Sequence, residues 1–231
     1  MKAFAITIKD HAISEQGFKN LFESSKQVGN EFHVQRFDAS TPFDVETQMK
    51  EFKLKWNYPW EGSILDPWTE LRKTAYGERD RLRRIACSLS HFRLWKKAVD
   101  ENEAILVLEH DALFVNKLPF ETILESTYGV IGINNPYMAT FAYQRYNELI
   151  QLRYEPIQPV PMLVSKEIPQ GLAGNSAYIV KPEAAKHLID LCYKYGLWPN
   201  DAIMCQQLCK FLGVTKTYYT EIQNLKSTTS L

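Results

Sequence analysis

The fold is constrained most strongly by an apolar run at residues 105–108, which directly follows an amphipathic helical pattern at residues 89–99. A helix that feeds a fully apolar strand is typical of a parallel sheet buried on both faces, because each crossover places a helix over the sheet. The N-terminus repeats this order, with strand patterns at residues 2–8 and 31–37 around a helical pattern. We therefore expect an α/β fold, with a mostly parallel sheet flanked by helices in a single domain.

Other segments carry weaker signals. Residues 41–80 are rich in aromatic side chains and punctuated by proline, which predicts an irregular excursion from the sheet. Residues 143–169 are polar and proline-rich and predict a long loop. One helix is predicted to begin at Pro182, and Asn200 is the predicted N-cap of another helix over residues 201–212.

The charge balance limits the class of partner. The 231 residues include 27 basic and 27 acidic side chains, so there is no strong nucleic-acid signal, which normally takes the form of a basic excess. The four cysteines form no CxxC pair, and we expect free thiols in a reducing compartment. No apolar stretch approaches membrane-spanning length. We expect a cytoplasmic protein whose membrane contacts, if it makes any, are peripheral.

The apolar run ends in an acidic pair, Glu109 and Asp111, with His110 between them. Side chains two residues apart in a strand point to the same face. In open α/β sheets, ligands bind beyond the carboxyl ends of the strands. The pair therefore predicts a site for a hard divalent cation such as Mn²⁺ or Mg²⁺, which prefers oxygen ligands. An ion pair with a nearby arginine is the structural alternative.

Two further segments allow both a structural and a functional interpretation. The aromatic residues between 41 and 80 either pack on the core or form a wall for a ring-shaped ligand. The basic run Arg79, Arg81, Arg83 and Arg84 either contacts a diphosphate or pairs with neighbouring acids at the surface.

The motif CSLSHFRLW at residues 87–95 precedes the strand ILVLEHDA. Both resemble segments of the family 25 glycosyltransferases, "GCxLSHxxLW" and the acidic triplet that follows it. That family includes lipopolysaccharide-type galactosyltransferases and collagen-modifying relatives. Residues 174–180 (GNSAYIV) resemble its "G-T/N-x-A-Y" strand, and residues 199–201 its "P-x-D" helix start. The chain departs from the pattern at three places: His110 within the triplet, Ala86 before the cysteine, and Thr7-Ile8-Lys9 where "N-L-x-R" is usual.

The resemblance implies a GT-A-like fold with a nucleotide-binding half at about residues 1–115 and an acceptor-side half at about residues 116–225. It implies a nucleotide-sugar donor, usually a uridine diphosphate sugar, a glycan acceptor, and a divalent metal, typically Mn²⁺. Asp111 is the first predicted metal ligand, and Glu109 holds a metal-bound water or the donor ribose. His110 is expected to be structural. The predicted donor-binding residues are Thr7, Ile8, Lys9, Ser90, His91, Glu109 and Asp111.

The predicted catalytic residue is Asp201, as the general base that takes the acceptor hydroxyl proton in an inverting transfer. A plain acid at a helix N-terminus is the alternative, and the helix dipole is expected to lower the pKa of Asp201. Asn175, Ser176 and Asn200 are the predicted contacts to sugar hydroxyls. A core histidine is the alternative interpretation of His91.

The leading interpretation is thus a metal-dependent inverting glycosyltransferase acting on a UDP-sugar and a glycan, as in lipopolysaccharide biosynthesis. One alternative is a degenerate relative that binds a nucleotide sugar or glycan without transferring it. Another is a metal-dependent nucleotidyltransferase or phosphohydrolase on a similar α/β sheet.

Overall fold

The computed structural model describes residues 2–77, 80–137, 139, 142–163, 165–225 and 228. The strands are β1 (Lys2–Thr7), β2 (Val34–Asp38), β3 (Ser63–Leu65), β4 (Arg72–Thr74), β5 (Ile105–Glu109), β6 (Ala112–Phe114), β7 (Val130–Gly132), β8 (Ile157–Pro159), β9 (Ala177–Val180), β10 (Leu212–Thr215) and β11 (Thr220–Ile222). The helices are α1 (Ala12–Gln27), α2 (Val45–Glu51), α3 (Arg81–Asp100), α4 (Phe120–Leu124), α5 (Tyr143–Gln151), α6 (Pro182–Tyr195) and α7 (Asn200–Ile203).

The main sheet has seven strands in the described residues, in the order β2-β1-β5-β9-β7-β10-β8. Strand β1 is parallel to β2 and β5, and β10 is parallel to β7. Strand β9 is antiparallel to both β5 and β7, and β8 is antiparallel to β10. Five of these seven strands therefore run in one direction, and the prediction of a mostly parallel α/β sheet in a single domain is confirmed.

The sheet is buried on both faces because its central strand alternates between two apolar layers. Ile105 and Val107 of β5 belong to the layer that contains helices α3 and α6. Leu106 and Leu108 belong to the opposite layer, with Leu21 of α1. All four of these β5 side chains are fully buried, as the unbroken apolar run requires.

The reversed strand β9 determines which segments meet at the site. Because β9 runs against β5, its first residue, Ala177, pairs with Leu108 near the end of β5. The amide of Glu109 donates to the carbonyl of Ser176 at 2.7 Å. The start of β9 thus lies at the same edge of the sheet as the carboxyl ends of β1 and β5.

Three predictions of local structure are wrong. Residues 41–80 contain helix α2 and the β3–β4 hairpin, and residues 143–169 contain helix α5 and strand β8. The helix predicted over residues 201–212 ends after one turn, at Ile203. There the chain packs against Gly171, where an added Cβ would overlap with the carbonyl oxygen of Met204. This close backbone approach is a tertiary effect that helix propensity does not report.

No helix in the described ranges is long and apolar enough to span a membrane.

Candidate active site

A cavity of about 480 Å³ opens at the carboxyl ends of β1 and β5. Five predicted donor-binding residues line it: Ile8, Lys9, Ser90, His91 and Glu109. Arg83, from the predicted basic run, lines it too. Other lining residues, which were not predicted as site residues, come from the loop after β2, the turn after β1 and the start of α3. They are Asp10, His11, Ala39, Ser40, Thr41, Pro42, Phe43, Ala86 and Cys87.

Among the described residues, the cavity lining does not include Thr7. The Thr7 side chain is fully buried, and its hydroxyl donates to the carbonyl of Ala5 at 3.0 Å. The neighbouring residues reach the site because the chain leaves the sheet after β1, with Asp10 at a positive φ of 58°. The pattern around β1 therefore predicted the right segment, but Thr7 stabilises the strand locally.

His110 is also part of the lining of this cavity, although it is only 8% exposed, and its structural role stays a prediction. Burial lowers the pKa of His110, although the charge of Glu109 opposes this effect. Alternation along the strand ends at Glu109, and the turn at residues 110–111 carries His110 towards the cavity. The strand periodicity could not report this turn.

His91 lies in a buried polar chain beneath the cavity. The indole N–H of Trp95 donates to the Tyr178 hydroxyl at 2.9 Å, and that hydroxyl lies 2.9 Å from Nδ1 of His91. Nε2 of His91 lies 3.3 Å from Oε1 of Glu109, without ideal hydrogen-bond alignment. Since the indole can only donate, the Tyr178 O–H is left to donate to Nδ1, which favours a proton on Nε2 that faces Glu109.

The two predicted metal-binding acids differ in their electrostatics. Burial raises the pKa of Glu109, but His91, His110 and Arg84 together outweigh burial and leave that pKa below its ordinary value. Burial and the nearby charge of Glu109 raise the pKa of Asp111 to about 7. Oδ1 of Asp111 is buried and has no hydrogen-bond partner.

The segment before β9 brings further polar groups to these acids. The hydroxyl of Ser176 hydrogen-bonds to the Asp111 carboxylate. The side-chain amide of Asn175 is buried, and neither its nitrogen nor its oxygen has a partner. Buried polar groups are normally hydrogen-bonded, so an unpartnered amide at this position is available to a bound ligand or water.

Asp201 is buried close to the acids at the end of β5. Burial raises the pKa of Asp201, and this effect exceeds the opposing effects of Arg84 and of the hydrogen bond from Tyr76. The expectation that a helix dipole would lower this pKa is wrong, because α7 has only four residues and its dipole is small. Oδ1 of Asp201 has no partner.

Asn200 is not at the cavity surface. It is 4% exposed, and its Oδ1 lies 3.9 Å from Sγ of Cys87, so it joins α7 to α3. The N-cap of α7 is Pro199, where Asn200 was predicted. Of the predicted basic run, Arg83 lines the cavity and Arg84 acts electrostatically on Glu109 and Asp201. Arg79 lies outside the described residues.

The donor set fits a hard divalent cation only in part. Among the described residues, no three histidine, cysteine, aspartate or glutamate side chains are grouped to hold a metal ion. Glu109 and Asp111 nevertheless supply carboxylate oxygens, and Asp111 keeps one of them unpartnered. A site with two carboxylates fits a Mg²⁺ or Mn²⁺ ion that takes its remaining ligands from water and phosphate.

The fold and the site together describe an α/β enzyme with a strand-end cavity, paired acids and a third buried carboxylate. Within this class, the sequence profile of "Glycosyltransferase family 25 (LPS biosynthesis protein)" matches residues 19–204. The chain therefore belongs to glycosyltransferase family 25, and the predictions of the family and of glycosyltransferase activity are confirmed.

Solved structures with distant similarity are also glycosyltransferases. The galactosyltransferase LgtC, in complex with donor and acceptor sugar analogues, is 10% identical with a TM-score of 0.45, over 93% of this chain and 73% of LgtC. GlyE of Streptococcus pneumoniae TIGR4 is 10% identical with a TM-score of 0.41, over 94% of this chain and 45% of GlyE. The bifunctional WbbM is 9% identical with a TM-score of 0.44, over 94% and 38%. No curated protein sequence matches significantly.

Proposed function

We propose that this glycosyltransferase is metal-dependent and inverting, and that it transfers a hexose such as galactose from a UDP-sugar to a hydroxyl group of a glycan, as in lipopolysaccharide biosynthesis. The observation that carries the proposal is the position of Glu109 and Asp111. Glu109 ends β5 and lines the cavity, and Asp111 follows two residues later with one oxygen buried without a partner. Such an oxygen is costly unless a ligand compensates it.

The cavity is the proposed donor site. Its volume suits a ligand of nucleotide size, and residues about 1–115 supply most of its lining, as expected for the nucleotide-binding half. Lys9 and Arg83 are the cations of the lining and would contact the diphosphate. Ser90 contributes indirectly, because its hydroxyl accepts a hydrogen bond from the Ser40 amide at 2.9 Å and so holds the loop after β2.

Glu109 and Asp111 are the proposed metal-binding residues. A bound Mn²⁺ or Mg²⁺ would act as the Lewis acid that stabilises negative charge on the departing diphosphate. His91 holds Glu109 in place from the buried side, and Ser176 holds Asp111.

Asp201 is the proposed base. The acceptor hydroxyl oxygen attacks the anomeric carbon, its proton moves to the Asp201 carboxylate, and the bond from the anomeric carbon to the phosphate oxygen breaks. The raised pKa of Asp201 favours this role, because a more basic carboxylate accepts a proton more readily. Asn175 is the proposed contact to a sugar hydroxyl, since its amide is unpartnered.

The proposal extends to partners and location. The acceptor-side half, at about residues 116–225, would contribute Asn175 and Asp201 to the glycan site. The four cysteines are free, which supports a reducing compartment, and we include a cytoplasmic location with at most peripheral membrane contact in the proposal.

The test measures UDP release from a panel of UDP-hexoses with Mn²⁺, with and without a mixture of oligosaccharide acceptors. A glycosyltransferase releases UDP mainly when an acceptor is present. Equal breakdown without acceptor would indicate a phosphohydrolase, and release of nucleoside monophosphate would indicate phosphoryl chemistry. Donor binding without breakdown would indicate a binding module. Each of these three results would contradict the proposal.

A further inference from the structure

Four aromatic side chains form a continuous row of ring contacts near Asp201, and three of them reach the surface. Trp60 stacks on Trp56 with ring centroids 4.9 Å apart and planes 9° from parallel. Trp56 contacts Tyr58 at 6.5 Å, and Tyr58 contacts Tyr76 at 5.8 Å. Tyr58 is buried, whereas Trp56 and Trp60 are half-buried and Tyr76 is 44% exposed, so part of these three rings remains open to solvent. The exposed rings of Trp60 and Tyr76 also carry the guanidinium groups of Arg81 and Arg84 above them. We refer to Trp56, Tyr58, Trp60 and Tyr76 as the aromatic row.

The aromatic row is rigidly attached to the segment that carries Asp201. The amide of Asn57 donates to the carbonyl of Leu197 at 3.0 Å, and the amide of Leu197 donates to the carbonyl of Lys55 at 2.8 Å. The buried ammonium of Lys73 adds a hydrogen bond of 2.8 Å to the Asn57 carbonyl. These contacts fix the loop beside residues 197–199, directly before Asp201.

The row ends at the proposed base. The hydroxyl of Tyr76 hydrogen-bonds to the carboxylate of Asp201, whose other oxygen, Oδ1, is buried without a partner. A shallow depression at this end is lined by the aromatic row together with Pro59, Gly77, Arg84 and Pro199. None of these residues lines the donor cavity, so the row marks a second surface separate from that cavity.

This combination of groups suits a sugar ring. One face of a pyranose presents C–H groups, which pack on aromatic rings, and its hydroxyls need polar partners at the edge. The aromatic row provides the rings, and Asp201 and Arg84 provide the polar partners. We propose that the aromatic row is the acceptor subsite, and that it holds an uncharged pyranose ring with one hydroxyl directed at Asp201.

The proposal rests on the proposed transferase function, in which Asp201 is the base. Its test uses methyl β-D-galactopyranoside as the probe, with saturation-transfer difference NMR as the measurement. The variants are Trp60→Ala, Trp60→Phe, which keeps a ring, and Trp60→Leu, which keeps apolar volume if the alanine variant fails to fold. The matched control is Trp68→Ala, because Trp68 is 78% exposed and lies outside the aromatic row.

We expect saturable transfer to the C–H protons of the sugar in the unmodified protein and in Trp68→Ala. Trp60→Ala and Trp60→Leu should weaken binding about tenfold, the loss of one aromatic contact, while Trp60→Phe should retain most of it. Equal signals in Trp60→Ala or Trp60→Leu and the unmodified protein, or no signal in the unmodified protein, would overturn the subsite.

Titration of the same proteins with UDP and Mn²⁺ separates this subsite from the proposed function. If UDP binds tightly but the sugar signal is the same in the Trp60 variants and in the unmodified protein, the subsite is overturned and the donor site is retained. If the unmodified protein does not bind UDP but its sugar signal depends on Trp60, the transferase proposal is overturned and a sugar-binding surface remains.

Discussion

Asp111 and Asp201 each keep one carboxylate oxygen buried without a hydrogen-bond partner, yet their proposed roles differ. Asp111 follows β5 and is held by Ser176, whereas Asp201 starts a one-turn helix and is held by Tyr76. Because the two groups act on different partners, single substitutions should separate donor binding from transfer.

Asp111→Asn should abolish the part of UDP binding that depends on Mn²⁺, by about tenfold or more, because an amide is a much weaker ligand for a hard cation. Calorimetric titration with UDP, with and without Mn²⁺, measures the effect. Asp190→Asn is the matched control, since Asp190 is exposed and pairs only with Lys186 at the surface of α6 in the described contacts. Unchanged metal dependence in Asp111→Asn would remove Asp111 as a ligand.

Asp201→Asn should leave UDP affinity unchanged and lower the transfer rate by about 10²- to 10⁴-fold, the usual contribution of a general base. The base must be deprotonated to act. The raised pKa of Asp201 therefore places the acidic limb of the rate profile above that of an ordinary aspartate, and the rate falls as pH decreases through this limb. Turnover close to that of the unmodified protein would assign Asp201 a structural role.

The β3–β4 hairpin is held by a buried ion pair. Nζ of Lys73 lies 2.5 Å from Oδ2 of Asp66, and both side chains are almost fully buried. The same lysine supports the loop of the aromatic row through Asn57. Removing one member leaves the other charge buried and unpaired, which is far more costly than removing both.

Asp66→Asn should therefore lower the free energy of unfolding by about 3–5 kcal/mol, and the Asp66→Asn/Lys73→Met double variant should lose less. Burial raises the pKa of Asp66, but the hydrogen bonds from Lys73 and Thr69 outweigh it and leave the pKa below its ordinary value. Stability from this pair is thus present above the ordinary carboxyl pKa and is lost as pH falls through the lowered one. Urea unfolding between about pH 2 and pH 7 measures the loss of stability in each variant and its dependence on pH. Equal losses in the single and double variants would contradict the cost assigned to an unpaired buried charge.

Helix α3 is joined to strand β9 by the hydrogen bonds of Trp95 and His91 with the Tyr178 hydroxyl. Tyr178→Phe removes the central hydroxyl and leaves two buried polar groups unpaired, which should cost about 1–3 kcal/mol of unfolding free energy. Tyr193→Phe serves as the control, because Tyr193 is half-exposed on α6. A similar midpoint of thermal unfolding for both variants would show that the hydrogen bonds of Tyr178 contribute little to stability.

The proposed donor and metal should stabilise the folded protein cooperatively, because they would share one site. A ligand at about 100 times its Kd adds about 2.7 kcal/mol if it binds only the folded form. UDP with Mn²⁺ should therefore raise the unfolding temperature more than the sum of UDP alone and Mn²⁺ alone, as measured by differential scanning fluorimetry. Additive or absent shifts would speak against a shared site.

The sequence predicted those parts of the fold that depend on local pattern. The strand-helix-strand opening, the buried strand β5 and the acids at its end follow from periodicity, and the structure places them as expected. The sequence could not predict that the helix after Asn200 stops at Ile203, where the chain packs against Gly171 of a distant segment. It also could not predict that burial outweighs the helix dipole at Asp201. Phe43 and His11 were missed because nothing in the local pattern around either residue indicates a cavity.

The reversed direction of β9 determines where the loop that precedes it lies. Because β9 begins at the edge where β5 ends, the segment before it enters the site as a loop whose length the sheet does not fix. Under the proposed function, sequence changes in that loop, which carries Asn175, would alter sugar contacts while β1 and β5 stay in register. The part of the domain that would bind the donor could then be kept while its sugar contacts vary.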